Sequence, residues 1–323
     1  MARTRLYRNG VLVSEDFNPA DISDHLDEPG VAMWLDMCEP DEADLATITE
    51  ELGLHRLAVE DAVHEHQRPK LDHYESHLFL AAYVAFVHPY SERLNTSEIS
   101  VFITPTCLVT VRKEPSFDID QVVARWDNNA DLAKSGVGFL LHGLLDYVVD
   151  THIDAVQQLD EKIEQIEEAL FAEHVDLKPL QRRSYRLRRA LMGLRKVAGP
   201  MREVLEGVQR HGSHLVDNTM RPYYADVQDH VLKSSGRIEA LRDLAATLRE
   251  TELTVQSNQL NVIMKQVTSW AAVIAVPTLI TGFYGQNVNY PGINTEWGFW
   301  VSTLVIAVAS VGLWWSFRKR GWL

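Results

Sequence analysis

Cysteine is nearly missing from this chain of 323 residues: Cys38 and Cys107 are the only two. Both stand in apolar runs, which predicts buried thiols in a reducing compartment and argues against a disulfide framework. No nucleophile motif, glycine-rich phosphate loop or metalloprotease helix occurs, so an enzyme is not expected, and without a Walker-type loop neither is an ATP-driven pump. No apolar segment occupies Met1 to Gly10, so no cleaved secretory signal is expected. The most informative absence is charge. Gln266 to Thr295 carry none, and after Lys265 the only charged residues are Glu296, Arg318, Lys319 and Arg320.

The stretch from Trp297 to Phe317 holds 21 uncharged residues, which at about 1.5 Å each cross a hydrocarbon core of about 30 Å. Gln266 to Phe283 is shorter, at 18 residues, so the residues before it must continue the same helix. Trp297, Trp300, Trp314 and Trp315 cluster at the two ends of the second stretch, where indole rings suit a membrane interface. Lys265 precedes the first span, Arg318, Lys319 and Arg320 follow the second, and the connection from Gln286 to Glu296 has no Lys or Arg. The positive-inside rule then puts both termini in the cytoplasm and the connection outside.

The net charge is −14, and the four charged residues beyond Lys265 sum to +2, so residues 1–265 carry −16. An acidic cytoplasmic body of that size can bury a core of its own, attracts cations and repels nucleic acid. Val31 to Leu35, Leu78 to Val87 and Ile99 to Val111 are rich in β-branched and aromatic residues, with Thr104, Pro105 and Thr106 interrupting the last as a hairpin turn would. Between Asp41 and His64, acidic starts and spaced apolar residues predict two short helices. Residues 1–115 therefore read as an α/β domain.

From about Phe117 the pattern is helical. Ile153, Val156, Leu159, Ile163, Ile166 and Leu170 recur at steps of three and four, the stripe of a long amphipathic helix. Its outer face is acidic (Asp160, Glu161, Glu164, Glu167, Glu168, Glu173), and the next segment is basic (Arg182, Arg183, Arg186, Arg188, Arg189, Arg195, Lys196). An antiparallel hairpin would set these charges opposite each other; a phosphate or lipid site is the other reading of the basic run. His211 to His214 break the pattern, and Arg221 with Pro222 starts a new helix that meets no strong breaker but Gly236 before the membrane. The organisation is thus an α+β membrane protein: 1–115 α/β domain, 116–221 helical hairpin region, 222–285 stalk helix running into the first span, 286–296 outer loop, 297–317 second span, 318–323 basic tail.

Along the first span and its approach, Asn261, Met264, Thr268, Ala271, Ala275, Thr278, Gly282 and Gly285 follow one another at steps of three and four, and seven of the eight are small or polar. Such a stripe serves either close helix packing or the wall of a pore, and a pore requires a closed ring of identical subunits. Pro277 releases the carbonyl of Val273, which bends the helix or presents an oxygen to a lumen.

The end of the first span, Gly282-Phe283-Tyr284-Gly285-Gln286-Asn287, followed by a short loop, a second span and a basic tail, resembles the CorA metal-ion transporters, whose signature is Tyr-Gly-Met-Asn. Gln67-Arg68-Pro69-Lys70 and Asn261-Val262-Ile263-Met264-Lys265 resemble that family too, and the likeness covers essentially the whole chain. The resemblance implies a homopentameric funnel in the inner membrane, with no nucleic-acid partner, passing Mg2+, and also Co2+ or Ni2+, down its gradient. It implies a selectivity filter of Gly285, Gln286 and Asn287, and a pore lined by Asn261, Met264, Val267, Thr268, Ala271, Ala275, Thr278 and Gly282. Val267 and Ala275 are smaller than the family's usual residues, which leaves the hydrophobic gate unplaced. Regulatory Mg2+ between subunits is implied at Glu60 and Asp61 facing Glu250, with Asp226 at a further acidic position, and Glu296 is the one charge of the outer loop. Gln286 departs from the signature Met. The related ZntB branch, which handles zinc, departs there as well, and His64, His66, His73 and His77 give a zinc reading some support. A membrane-anchored helical scaffold without conduction is the third reading.

Overall fold

The structure is a computed structural model and describes residues 2–64, 68–172, 175–212, 215–286, 292–293 and 295–323. It contains two compact units, Met1–Leu248 and Arg249–Leu323.

The first unit is built on a seven-stranded sheet. Its strands are β1 (Ala2–Arg8), β2 (Val11–Glu15), β3 (Val31–Cys38), β4 (Lys70–His73), β5 (Leu78–Val87), β6 (Leu94–Ile103) and β7 (Cys107–Arg112), in the spatial order β2-β1-β3-β7-β6-β5-β4. Only the β3/β7 pair is parallel; the rest are antiparallel. The Thr104-Pro105-Thr106 turn joins β6 to β7 as the sequence predicts, with the Thr104 amide donating to the Cys107 carbonyl at 2.9 Å.

Period-2 alternation sends neighbouring side chains to opposite faces, and both faces are buried. On β5, Leu78, Leu80, Ala82 and Val84 enter one core, while Phe79 and Ala81 enter the other. The second core is covered by α1 (Glu42–Leu52) and α2 (Arg56–Val63), which supply Leu45, Ile48, Leu52, Ala58 and Ala62. Asp41 caps α1 in a capping box with Asp44, and Gly53 ends it in the left-handed conformation.

The first core is covered by α3 (Ile119–Asn128), α4 (Val137–Leu170), α6 (Met201–His211) and the start of α7 (Arg221–Tyr284). These helices share a core with the sheet, so the first unit continues past residue 115 to Leu248. Trp126 packs edge-on against Trp34 at 4.9 Å and donates its indole N–H to the Leu140 carbonyl at 3.0 Å. A Cβ on Gly143 would lie 2.5 Å from that indole nitrogen, which is why glycine stands there. The predicted apolar stripe on α4 is buried apart from the half-buried Ile153: Leu159, Ile163 and Ile166 are fully enclosed.

Two sequence expectations change. Cys107 is buried, and burial pushes its thiol up to about 12, but Cys38 is only half-buried. The charges of α4 and α5 (Leu177–Ala198) do not face each other as a matched hairpin. Arg183 and Arg186 instead donate to Glu92 at 2.8 and 3.1 Å, Arg195 to Glu239 at 2.6 Å, and Asp160 of α4 accepts from Arg237 at 2.5 Å. The partners come from distant segments, because the hairpin's contact face is its apolar stripe.

The second unit holds the continuation of α7 and α8 (Glu296–Lys319). Both helices are long and apolar enough to cross a membrane, and few of the residues in their apolar parts are buried. At the end of α8, Arg318 lies over Trp314 and Lys319 over Trp315, 5.1 and 5.4 Å from the ring centres, an arrangement suited to a bilayer interface.

Candidate functional site

On the apolar part of α7, Ser269 is buried and Ala272, Val273, Val276, Pro277, Ile280 and Tyr284 are half-buried. At 100° per residue these positions form one face. The stripe Asn261, Met264, Thr268, Ala271, Ala275, Thr278, Gly282 and Gly285 is exposed throughout and centres nearly opposite that face; Val267 flanks it. A Cβ on Gly282 would meet nothing within 4 Å, so no contact among the described residues accounts for the glycine. Thr278 donates its hydroxyl to the Ile274 carbonyl at 3.0 Å. That bond satisfies the donor inside its own helix, so the hydroxyl alone does not require a lumen.

At the end of α7 the Gly285 amide donates to Thr281 at 2.9 Å and the Gln286 amide to Phe283 at 3.2 Å. Both residues are exposed. Asn287 and residues 288–291 lie outside the described residues. Glu296 is the first residue of α8 and is exposed, where a carboxylate favours the positive end of the helix dipole.

Of the four acidic residues flagged from sequence, Glu60 and Asp61 lie on α2, Asp226 near the start of α7 and Glu250 further along it. Glu60, Asp226 and Glu250 are exposed. Asp61 is half-buried and bound by Lys70 at 2.6 Å, while the same ammonium reaches Asp72 at 2.7 Å. Burial alone would lower the Lys70 ammonium; its two carboxylate partners outweigh that and hold it above the ordinary lysine value.

A group that the sequence reading passed over gathers around α4 and α7. Ligand atoms of Asp146, Asp150 and His230 lie within 4.8 Å of one another, the one such group of three among the described residues. Arg125 holds both carboxylates, donating to Asp146 at 2.5 Å and to Asp150 at 2.6 Å. His230 Nε2 is 3.9 Å from Asp226, and its buried Nδ1 has no hydrogen-bond partner. The neighbouring His142 is held below its ordinary value by burial, which outweighs the opposing effect of Asp146. Two carboxylates and an imidazole suit a divalent cation. The signal was present in sequence: His142, Asp146 and Asp150 fall at i, i+4, i+8, and Asp226 and His230 at i, i+4.

The histidines picked out for zinc are engaged separately. His64 bonds the Glu60 carbonyl at 2.8 Å, His73 stacks on His211 at 5.0 Å, and His77 stacks on Tyr74 at 5.0 Å with Nδ1 2.9 Å from the Ser76 hydroxyl. His66 lies outside the described residues. Among those described, none joins a cluster able to hold a metal.

Residues 30–319 match the family model described as CorA-like Mg2+ transporter protein. The chain is 30% identical over 278 residues to the cobalt/magnesium transport protein CorA of Thermotoga maritima, covering 85% of this chain and 79% of that one. Its fold matches the complete structure of the CorA magnesium transporter from Methanocaldococcus jannaschii with a TM-score of 0.80 at 20% identity, over 100% of this chain and 99% of that one. The ZntB cytoplasmic domain from Vibrio parahaemolyticus is a more distant likeness of fold, at TM-score 0.58 and 12% identity over 80% of this chain and 98% of that one. The family match runs from the central sheet through both apolar helices, and the chain belongs to the CorA-like Mg2+ transporter family.

Proposed function

We propose that this chain is the subunit of a homopentameric divalent-cation channel that passes chiefly Mg2+, with Co2+ and Ni2+ as lesser substrates, inward across the inner membrane. Both termini are cytoplasmic in this reading. The observation that carries it is the uninterrupted exposed stripe from Asn261 to Gly285 on a helix able to cross a membrane, in a chain of this family. Five copies meeting along that stripe would enclose a lumen of small and polar side chains, with the outer faces left for lipid. Driving force needs no ATP, since an inside-negative potential favours entry of a doubly charged ion by about 4.6 kcal/mol per 100 mV. Asn287 would ring the outer mouth with amide oxygens. Magnesium gives up its water reluctantly, so neutral oxygens touching the hydrated ion suit it better than a tight carboxylate cage.

Regulation in this reading comes from cytoplasmic Mg2+ bound between subunits by Glu60 and Asp61 of one copy and Glu250 of the next. Lys70 neutralises Asp61 in the single chain, so an arriving cation must compete with an ammonium already in place. Asp146, Asp150, His230 and Asp226 form a second candidate for cation binding, with Arg125 as the competitor.

A ZntB-like zinc transporter is the second reading, favoured by the imidazole of His230 in that group. Uptake into vesicles holding the purified full-length chain tests both. Mg2+ entry that persists under excess Zn2+ and vanishes in Asn287→Ala, with the oligomer intact, is the expected result. Zn2+ entry that excludes Mg2+ would favour the second reading, and absence of any divalent flux would leave a non-conducting scaffold.

A further inference from the structure

In the first unit a cleft of about 1450 Å³ opens between the β5–β6 turn, α5 and the segment leading into α6. Its chemistry opposes that of the unit around it. Seven Lys and Arg side chains line it against a single carboxylate, Glu92, although residues 1–265 carry −16.

Elsewhere in this unit Arg3, Arg5, Arg8, Lys70, Arg112, Lys113 and Arg125 each meet a carboxylate, while Arg56, Lys134, Arg210 and Arg221 meet none among the described residues. The cleft gathers several such cations in one place. Arg68, Arg93, Arg189 and Lys196 have no ion-pair partner among the described residues. The paired ones share: the buried Glu92 serves both Arg183 and Arg186, and Glu239 serves both Arg195 and Arg242. Each shared carboxylate leaves a positive charge over. Glu161, Glu164, Glu167 and Glu168 of α4, which could have neutralised the surplus, are exposed and bond none of these arginines.

We propose that this cleft binds a soluble ligand carrying several phosphate groups, of the nucleoside triphosphate class. Guanidinium forks match phosphate oxygens in pairs, so a cluster of arginines left without carboxylates is complementary to that ligand. The net charge of the unit decides its size. A long polyanion such as RNA would run beyond the cleft onto an acidic surface, whereas a compact one stays within the positive field. Tyr185 supplies an aromatic platform. It is 60% exposed and lies where the cleft joins a smaller one lined by Lys178, Gln181 and Arg182. A base stacked there would direct its phosphates toward Arg189 and Lys196. The inference does not depend on what the membrane helices conduct.

The test is calorimetric titration of the purified full-length chain with ATP, with inorganic triphosphate and with short-chain phosphatidic acid, at clamped free Mg2+. Saturable ATP binding that weakens with salt and at least tenfold in the Arg189→Ala, Lys196→Ala double variant is expected. Tyr185→Ala should weaken ATP more than inorganic triphosphate. If the double variant melts earlier than the parent, Arg93→Gln, on the exposed turn, carries the same test. No saturable ATP binding at low salt, ATP binding indifferent to these substitutions, or binding of phosphatidic acid alone would each overturn the proposal. So would a change in oligomeric size in the double variant of a chain that ignores ATP, because the cleft would then seat carboxylates of a second copy.

Discussion

Leu80, Leu141 and Leu194 of the first unit keep no solvent exposure, whereas Leu279, Trp300 and Leu304 of the second keep 75%, 67% and 63%. Apolar side chains meet opposite fates within one polypeptide. The first unit covers its apolar surface with its own helices on both faces of a sheet. The second leaves a large apolar surface exposed, which in the proposed reading is covered by lipid and by other copies. In that reading the first unit draws its stability from its own two cores, and the second from an assembly in a membrane.

The largest effect that could break this contrast is on conduction. Leu in place of Thr278 or Gly282 narrows the proposed lumen from five sides at once and should abolish measurable Mg2+ flux while the pentamer persists. Leu in place of Ile280, on the half-buried face, exchanges nearly equal volumes and should change flux little. If the stripe serves packing instead, the inward substitutions should dissociate the oligomer before they block it, so size in detergent must be measured beside flux. Free flux through a pentamer carrying Leu at both positions would remove the pore assignment.

Next in size is a pair of identical truncations. Leu141→Ala empties a fully enclosed site among α4, the sheet and their neighbours and should cost about 2–5 kcal/mol. Leu304→Ala, on an exposed face of α8, should stay within about 0.5 kcal/mol in detergent. Thermal midpoints of the two variants test the contrast directly, and equal losses would show that the second unit has an internal core.

The legibility of the sequence follows the same division. Strands β3, β5, β6 and β7, helices α1 and α2, the stripe of α4 and the two apolar helices were readable because a buried face imposes a period on side-chain polarity. Strand β1 was not. Arg3 and Arg5 interrupt its pattern, and only the fold reveals that they reach Asp120 and Asp127 on α3. The same limit explains the failed charge match between α4 and α5, whose partners Glu92 and Glu239 lie far away in sequence. The exposed stripe on α7 was visible as spacing. The group of Asp146, Asp150 and His230 was visible only as two separate i, i+4 patterns, because nothing in either helix alone says that the two meet.

That group offers a third prediction. A divalent cation bound only to the folded chain at a hundred times its dissociation constant stabilises it by about 2.7 kcal/mol. Co2+ or Mg2+ should therefore raise the thermal midpoint, and Asp150→Asn should remove part of the rise without altering the midpoint in chelator by as much. An unchanged metal response in Asp150→Asn would dismiss the group as a binding site. Arg125→Gln sharpens the test: it removes the competing guanidinium and should strengthen the response.

The smallest effect separates the units by pH. Burial, with a contribution from His55, holds the His77 imidazole down to about 4, and burial holds His152 down to about 4 against the favourable hydrogen bond to the Tyr83 carbonyl. Both rings are neutral in the folded unit, while in the unfolded chain they protonate near their ordinary value of about 6.5. The unfolded state then binds more protons between pH 6.5 and pH 4, so stability falls as the solution is acidified through that window and is fully present above it. At about pH 5.5 each histidine should cost about 1 kcal/mol relative to neutrality. His77→Gln should flatten the acid limb by about that amount when thermal midpoints are compared at the two pH values, since the glutamine has no proton to take up. The uncharged stretch of the second unit, Gln266 to Thr295, has no group that titrates between pH 6.5 and pH 4, so its part of α7 should stay helical over the same range. A His77→Gln variant with the parent's pH profile would mean that the imidazole already protonates in the folded unit.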